Sequence, residues 1–186
     1  MYTDASCEAG DQLTNCLRLC WIVSEVGPDV RWGQVCDVPP EVVDTLDPRQ
    51  QYIAQGEALA PLLLYALHGN ELRDSSIIHF IDNSAVLSCQ VMGNSRVADL
   101  GIISHLTAWA VARANIAVWY EHVESAANLA DGGSRIGQSD PVAAAAGVRL
   151  QHVAWPRRGD KYMVLEDFRY EIIGENVHWG NIYKGY

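Results

Sequence analysis

The order of strand-like and helix-like segments constrains the fold of this chain most. Two segments rich in β-branched and aromatic residues, 17–26 and 30–38, flank a Gly-Pro-Asp turn signal at 27–29 and predict a β-hairpin. Apolar residues then recur at helical spacing over 53–67, and a short continuous apolar run at 76–81 is typical of a buried strand. A hairpin, a helix and a buried strand in this order predict a mixed α/β sheet.

The segments that follow extend the same pattern. Residues 82–84 offer N-cap chemistry for a short helix that ends near Gly93. An amphipathic helix is predicted over 95–114 and a strand over 116–123. Only three residues precede Asp4, so they predict a short first strand. The complete order, β-β-β-α-β-α-β, predicts a five-stranded mixed sheet flanked by helices.

Four acidic residues stand beside these elements. Asp4 follows the first strand, Glu57 lies in the first long helix, Asp82 follows the buried strand, and Asp131 follows the last strand. Because parallel strands of an open α/β sheet place their sites at the carboxyl ends, we expect these carboxylates to converge. Each residue alone is uninformative: Asp82 could be a helix cap, Glu57 a solvated helix residue and Asp131 a turn or capping residue, and Asp4 near the start of the sequence indicates little by itself.

The local contexts of the four acids carry a family resemblance. They read YTDASC at 2–7, IAQGEA at 53–58, IIHFIDNSA at 77–85 and NLADGGSR at 128–135. In this order they resemble the ribonuclease H family, and the ending N-x-A-D-x-x-S-R most resembles the ribonuclease H domains fused to reverse transcriptases of retroelements. The resemblance implies an endonuclease that cuts the RNA strand of RNA–DNA hybrids. Asp4, Glu57, Asp82 and Asp131 would hold two Mg²⁺ ions, for which Mn²⁺ can substitute.

The resemblance also implies contacts with the substrate. The residues in question are Ser6, Cys7, Asn83, Asn128, Ser134 and Arg135. For those of the NLADGGSR ending, a hydrogen-bonded turn is an equal alternative. Many members of the family carry a histidine in the loop before the last aspartate, but residues 124–127 contain none. We expect His122 to lie at the end of the preceding strand and to pack or hydrogen-bond there, and Pro61 to kink or restart the helix of Glu57.

The resemblance covers about residues 2–135, and we therefore divide the chain into a ribonuclease H-like domain, 1–135, and an extension, 136–186. Residues 137–146 predict a linker, and strands are plausible at 161–166 and 168–173. The extension combines aromatic residues with arginines. Such residues could stack on bases, pack on the domain, or contact a partner such as a reverse transcriptase domain or a larger assembly.

The charge distribution favours an alternative function. The formal net charge is −10, and all of the excess negative charge lies before residue 136. Nucleic-acid binders usually carry a basic footprint, because neutralising phosphates supplies much of their affinity. The alternative is a noncatalytic ribonuclease H-like structural or interaction subunit of a larger nucleoprotein assembly. Another two-metal nuclease of this fold, such as an integrase or a junction resolvase, is a third hypothesis.

The remaining sequence features concern location. No apolar run approaches the ~20 residues that a membrane span needs, and the first residues lack the layout of a signal peptide. The five cysteines are odd in number, and their spacing does not suggest a zinc site. We therefore expect reduced thiols and an intracellular protein of the cytoplasm or nucleus that is neither secreted nor bound to a membrane.

Overall fold

The computed structural model describes residues 1–9, 15–26, 31–48 and 52–174. Within these ranges, one mixed sheet contains six strands: β1 (Tyr2–Ala9), β2 (Asn15–Ser24), β3 (Arg31–Asp37), β4 (Ser76–Ile81), β5 (Ala117–His122) and β6 (Leu150–His152). Their order across the sheet is β5-β4-β1-β2-β3-β6. β2 is antiparallel to both β1 and β3, whereas the β1–β4, β4–β5 and β3–β6 pairs are parallel.

Helices cover both faces of this sheet. They are α1 (Pro40–Val43), α2 (Ile53–His68), α3 (Ser84–Met92), α4 (Ala98–Arg113), α5 (Asp131–Ile136), α6 (Pro141–Ala145) and α7 (Leu165–Ile173). A small hairpin pairs β7 (Arg157–Arg158) with β8 (Lys161–Tyr162). The α/β class, with helices flanking a mixed sheet, is confirmed. None of the helices in the described ranges combines the length and apolarity required to cross a bilayer.

The central strand β2 explains why both faces are covered. Leu17, Leu19 and Trp21 alternate along β2 and are buried in the main core, beneath α2 and α4. Cys20 and Ile22, on the opposite face, are equally buried in a smaller core that includes residues near α5 and α6. A strand whose alternate side chains are all apolar is stable only between two covering layers.

A buried polar group ties β1 to the helical layer. His79 in β4 is fully buried, and its two ring nitrogens lie 2.9 Å from the Thr3 hydroxyl and 2.8 Å from the Tyr65 hydroxyl. Burial lowers the pKa of His79 to about 3, so the ring is neutral in the folded protein. The histidine therefore links β1, β4 and α2 through hydrogen bonds and carries no charge into the core.

The predicted strand count and the extent of the first strand were wrong. The sheet has six strands, because Leu150–His152 from the predicted extension pairs with β3. The first strand is eight residues long and continues past Asp4 to Ala9, since it pairs with β2 along its whole length. The helix of Glu57 does not restart at Pro61, which lies inside the continuous α2.

Predictions for the extension were also wrong in part. Residues 168–173 are helical and not a strand, because Leu165, Phe168 and Ile172 bury one side of α7 at helical spacing. The predicted linker at 137–146 contains α6, which is capped by the buried Asp140. The last part of the extension, 175–186, lies outside the described residues.

Candidate metal centre

Asp4 and Asp82 lie level with each other on neighbouring strands. The parallel register places Tyr2 opposite Phe80, so Asp4, two residues later, is level with Asp82. Asp82 directly follows β4 and leaves the sheet at its carboxyl end, as predicted. The same prediction was wrong for Asp4, which lies within β1 and is only 4% exposed.

Glu57 comes from the first half of α2, and the glycine before it brings the helix close to the sheet. A Cβ atom at Gly56 would lie 2.5 Å from Leu17 Cδ1 and 2.9 Å from the Ala5 Cβ. No side chain larger than hydrogen fits this contact without movement. Gly56 therefore sets the depth at which the Glu57 carboxylate reaches β1.

The three carboxylates of Asp4, Glu57 and Asp82 meet in one group. One oxygen from each lies within 4.8 Å of the others. Two buried oxygens of these residues, Glu57 Oε2 and Asp82 Oδ1, have no hydrogen-bond partner among the residues that the structure describes. Buried acceptors are rarely left without a donor, so these oxygens are available to a cation.

Crowding changes the acidity of this group. Burial raises the pKa of Glu57 to about 8, and the nearby charges of Asp4 and Asp82 add to the rise, against a smaller opposing effect of Asn83. Burial likewise raises the pKa of Asp4 to about 7, although the hydrogen bond from Ser134 opposes it. Without a cation, the site therefore keeps protons near neutral pH. A divalent cation would favour the ionised forms.

The fourth predicted ligand, Asp131, is adjacent to this group but not a member of it. It is the first residue of α5, and its Oδ1 accepts hydrogen bonds of 2.9 Å and 2.8 Å from Nε and Nη2 of Arg135. The Asp131 charge still contributes to the raised pKa of Asp4. The sequence reasoning missed this ion pair, although the spacing of four residues within one helix was its signal.

The residues predicted to contact substrate differ in burial and in their hydrogen bonds within the protein. Ser6, Asn128 and Ser134 are buried and hydrogen-bond within the protein. Arg135 is exposed beside the carboxylates. Asn83, at the amino end of α3, accepts hydrogen bonds from the backbone N–H groups of residues 85 and 86, and so acts as the helix cap. Cys7 is half-buried against the main core.

His122 lies at the end of β5, as expected. Its Nε2 is 3.2 Å from the backbone carbonyl oxygen of Asp82, to which it can donate. The sequence expectation of a hydrogen bond at the strand end is therefore met. The contact holds the main chain of Asp82, the residue that leaves the sheet toward Asp4.

The donor set fits a hard divalent cation. Its oxygens are carboxylate oxygens, which Mg²⁺ prefers, and Mg²⁺ keeps several waters so that few protein ligands suffice. The two partnerless oxygens of Glu57 and Asp82 are the atoms that such an ion would engage first. Asp4, Glu57 and Asp82 could together hold a divalent ion.

Comparison with known proteins agrees with this architecture. No family model matches the sequence, and no curated protein matches it. Among solved structures, the chain is similar to the crystal structure of RNase H1 from the halophilic archaeon Halobacterium salinarum NRC-1, with a TM-score of 0.52 and 15% sequence identity. The similarity covers 73% of this chain and 95% of that chain. The six-stranded mixed sheet with its flanking helices is therefore a ribonuclease H fold.

Proposed function

We propose that this protein is a metal-dependent endonuclease that hydrolyses the RNA strand of RNA–DNA hybrids, of the type found in retroelement reverse transcriptases. The observation that carries the proposal is the group formed by Asp4, Glu57 and Asp82, two of whose buried carboxylate oxygens have no hydrogen-bond partner within the described part of the chain. Its position at the carboxyl end of β4, on a ribonuclease H fold, supports the same reaction class. The NLADGGSR ending supports the retroelement type.

In the proposed reaction, the four acids act as ligands. Asp4, Glu57, Asp82 and Asp131 would hold two Mg²⁺ ions, or two Mn²⁺ ions. Such ions supply an activated water and stabilise the leaving oxygen in phosphodiester hydrolysis. The protein contributes a rigid arrangement: Asp4 is fixed within a strand, Glu57 within a helix, and Asp82 by the contact of His122 with its backbone.

Substrate recognition would depend on duplex shape and on the 2′-hydroxyl groups of the RNA strand, as is usual for proteins that bind A-form duplexes. Arg135 is an exposed cation beside the carboxylates, and its side chain is 65% accessible. It is the residue best placed to meet a phosphate next to the scissile bond. A reverse transcriptase domain that contacts residues 136–186 is part of the same proposal.

One observation favours the alternative of a noncatalytic interaction subunit. A groove of about 1100 Å³ opens on the sheet near the amino ends of β4 and β5. Ile78 and Trp119, which line it, are 55% and 68% exposed. Exposed apolar surface of this kind is typical of a contact with another macromolecule. The groove does not exclude catalysis at the carboxylates.

Cleavage of a labelled RNA–DNA hybrid tests the proposal. Wild type is compared with Asp82→Asn and with Asp44→Asn, which changes an exposed aspartate at the end of α1. We expect cutting of the RNA strand with Mg²⁺ or Mn²⁺, none with a chelator, none by Asp82→Asn, and full activity of Asp44→Asn. A folded wild-type protein that cuts no hybrid with either metal would refute catalysis and favour the interaction subunit.

A further inference from the structure

Three buried polar residues connect the segment that carries Asp131 to strand β1. Ser134 in α5 places its hydroxyl 2.5 Å from Asp4 Oδ2, and Ser6 in β1 donates to the backbone carbonyl of Ser134 at 2.6 Å. Asn128, in the turn before α5, donates to the backbone carbonyl of Thr3 at 3.1 Å. These bonds join residues more than 120 positions apart in the sequence.

The same three side chains are removed from solvent. Ser134 is 0% exposed, Asn128 is 5% exposed and Ser6 is 8% exposed. Asn128 also accepts from the backbone N–H of Ala130 at 3.2 Å, so both ends of its amide are engaged. A side chain that is buried and already hydrogen-bonded has few free donors or acceptors with which to bind a nucleic acid strand.

We infer that Asn128, Ser134 and Ser6 are positioning residues that fasten the Asp131 segment to β1 and orient the Asp4 carboxylate. This inference rests on the proposed function, and it assigns the N-x-A-D-x-x-S-R ending a role in assembling the site. Ser134 holds Oδ2 of Asp4, while Asn128 and Ser6 fix the main chain on either side of Asp131. Partners of metal ligands in this position orient the ligand and tune its affinity for the ion.

The connection also explains how two distant carboxylates come together. Asp4 lies on the sheet, whereas Asp131 begins a helix of only six residues. Such a short helix has no stability of its own, so its position depends on tertiary contacts. With Ser134 bonded to Asp4, the first turn of α5 is held against β1, and Asp131 stays close enough for its charge to affect Asp4.

Mn²⁺ affinity and hybrid kinetics of the full chain test the inference, with Ser134→Ala as the main variant. Removal of an outer hydrogen bond to a metal ligand typically weakens metal binding about 10- to 100-fold. We expect a loss of Mn²⁺ affinity in this range and a fall in kcat, with KM for the hybrid unchanged. Ser134→Thr, which keeps the hydroxyl, should recover much of both. Ser139→Ala is the matched control, since Ser139 is exposed in the next turn and bonds only locally.

A second variant and a second measurement keep the test decisive. Ser6→Ala removes one bond to the backbone but leaves the Ser134 contact with Asp4, so it should weaken Mn²⁺ binding less than Ser134→Ala and remain folded. Hydrogen exchange of residues 128–136 should be faster in both variants than in Ser139→Ala. If wild type cuts no hybrid, the proposed function fails, while exchange and Mn²⁺ binding still decide the positioning role. Unchanged Mn²⁺ affinity with a raised KM would overturn the inference, because it would indicate substrate contact.

Discussion

Replacing Glu57 with glutamine should stabilise the metal-free protein at pH 8. Burial, together with the charges of Asp4 and Asp82, raises the pKa of Glu57 from 4.5 to about 8. Because the folded-state pKa lies above the unfolded value, the folded protein binds more protons between these limits. The free energy of unfolding therefore falls as the pH rises from 4.5 to 8. Glutamine has the same shape and no charge, so the variant does not show this fall in the free energy of unfolding.

The size of the effect follows from the pKa shift. Each pKa unit corresponds to roughly 1.4 kcal/mol, so the shift of Glu57 sets an upper limit of about 4 kcal/mol at pH 8. Asp4 is also buried near Asp82, so in the variant its ionisation would still lower the free energy of unfolding. We therefore expect a gain of about 2 kcal/mol, which for a chain of this length raises the midpoint of thermal unfolding by roughly 4–8 °C. At pH 5 the difference should be small.

Thermal unfolding in chelator at pH 5 and pH 8, repeated with Mg²⁺ at pH 8, measures this effect. A bound ion stabilises the folded protein by about 2.7 kcal/mol when its concentration is 100 times the dissociation constant. Mg²⁺ should thus stabilise wild type more than Glu57→Gln, so that wild type has the higher midpoint of thermal unfolding at pH 8. Glu41→Gln, an exposed residue in α1, should show neither effect. A Glu57→Gln protein that is no more stable than wild type in chelator at pH 8 would refute the crowding of these carboxylates.

Three further changes have defined outcomes. Gly56→Ala should destabilise the fold by about 1–3 kcal/mol and weaken Mn²⁺ binding in a titration, because the added methyl would meet Leu17 at 2.5 Å. His79→Leu should cost about 1–3 kcal/mol in urea denaturation at pH 7.5, since its two hydroxyl partners lose their bonds. It should also remove the part of the acid-induced loss of stability that comes from protonating the histidine as the pH falls from 6.5 toward 3. Arg135→Gln should change stability by less than ~0.5 kcal/mol, because its ion pair with Asp131 is exposed, but should raise KM for a hybrid.

The parts of the site that could be predicted are those that depend on a few neighbouring residues. The strand before Asp82 and the capping residue Asn83 after it are adjacent in the chain, and the structure places both as expected, although only His79 and Ile81 of that strand are buried and the prediction of a fully buried strand was wrong. Helical spacing identified the helix of Glu57 for the same reason. These features depend on periodicity and capping over a few residues, which a sequence displays directly.

The parts that could not be predicted depend on long-range contacts. The inward orientation of Ser134 is set by Asp4, which is distant in the sequence. The sixth strand is three residues long, and its existence depends on the free edge of β3. α7 was predicted as a strand because its aromatic and β-branched residues suit either structure, and packing of Phe168 and Ile172 in the core decided in favour of the helix.

The sheet lies between two close helix contacts, and each contact is made at a glycine near an acidic residue of the same helix. From one face, α2 approaches at Gly56, beside Glu57. From the other face, α5 approaches at Gly133, two residues after Asp131, where a Cβ would meet the sulfur of Cys20 in β2 and lie 2.9 Å from Leu150 Cδ1 in β6. Each glycine lets its helix come nearer to the sheet than a side chain would allow, and so brings the acid of that helix to Asp4. The convergence of carboxylates is thus a result of backbone packing. In the metal-free protein, this packing lowers the free energy of unfolding at high pH, because buried carboxylates repel one another.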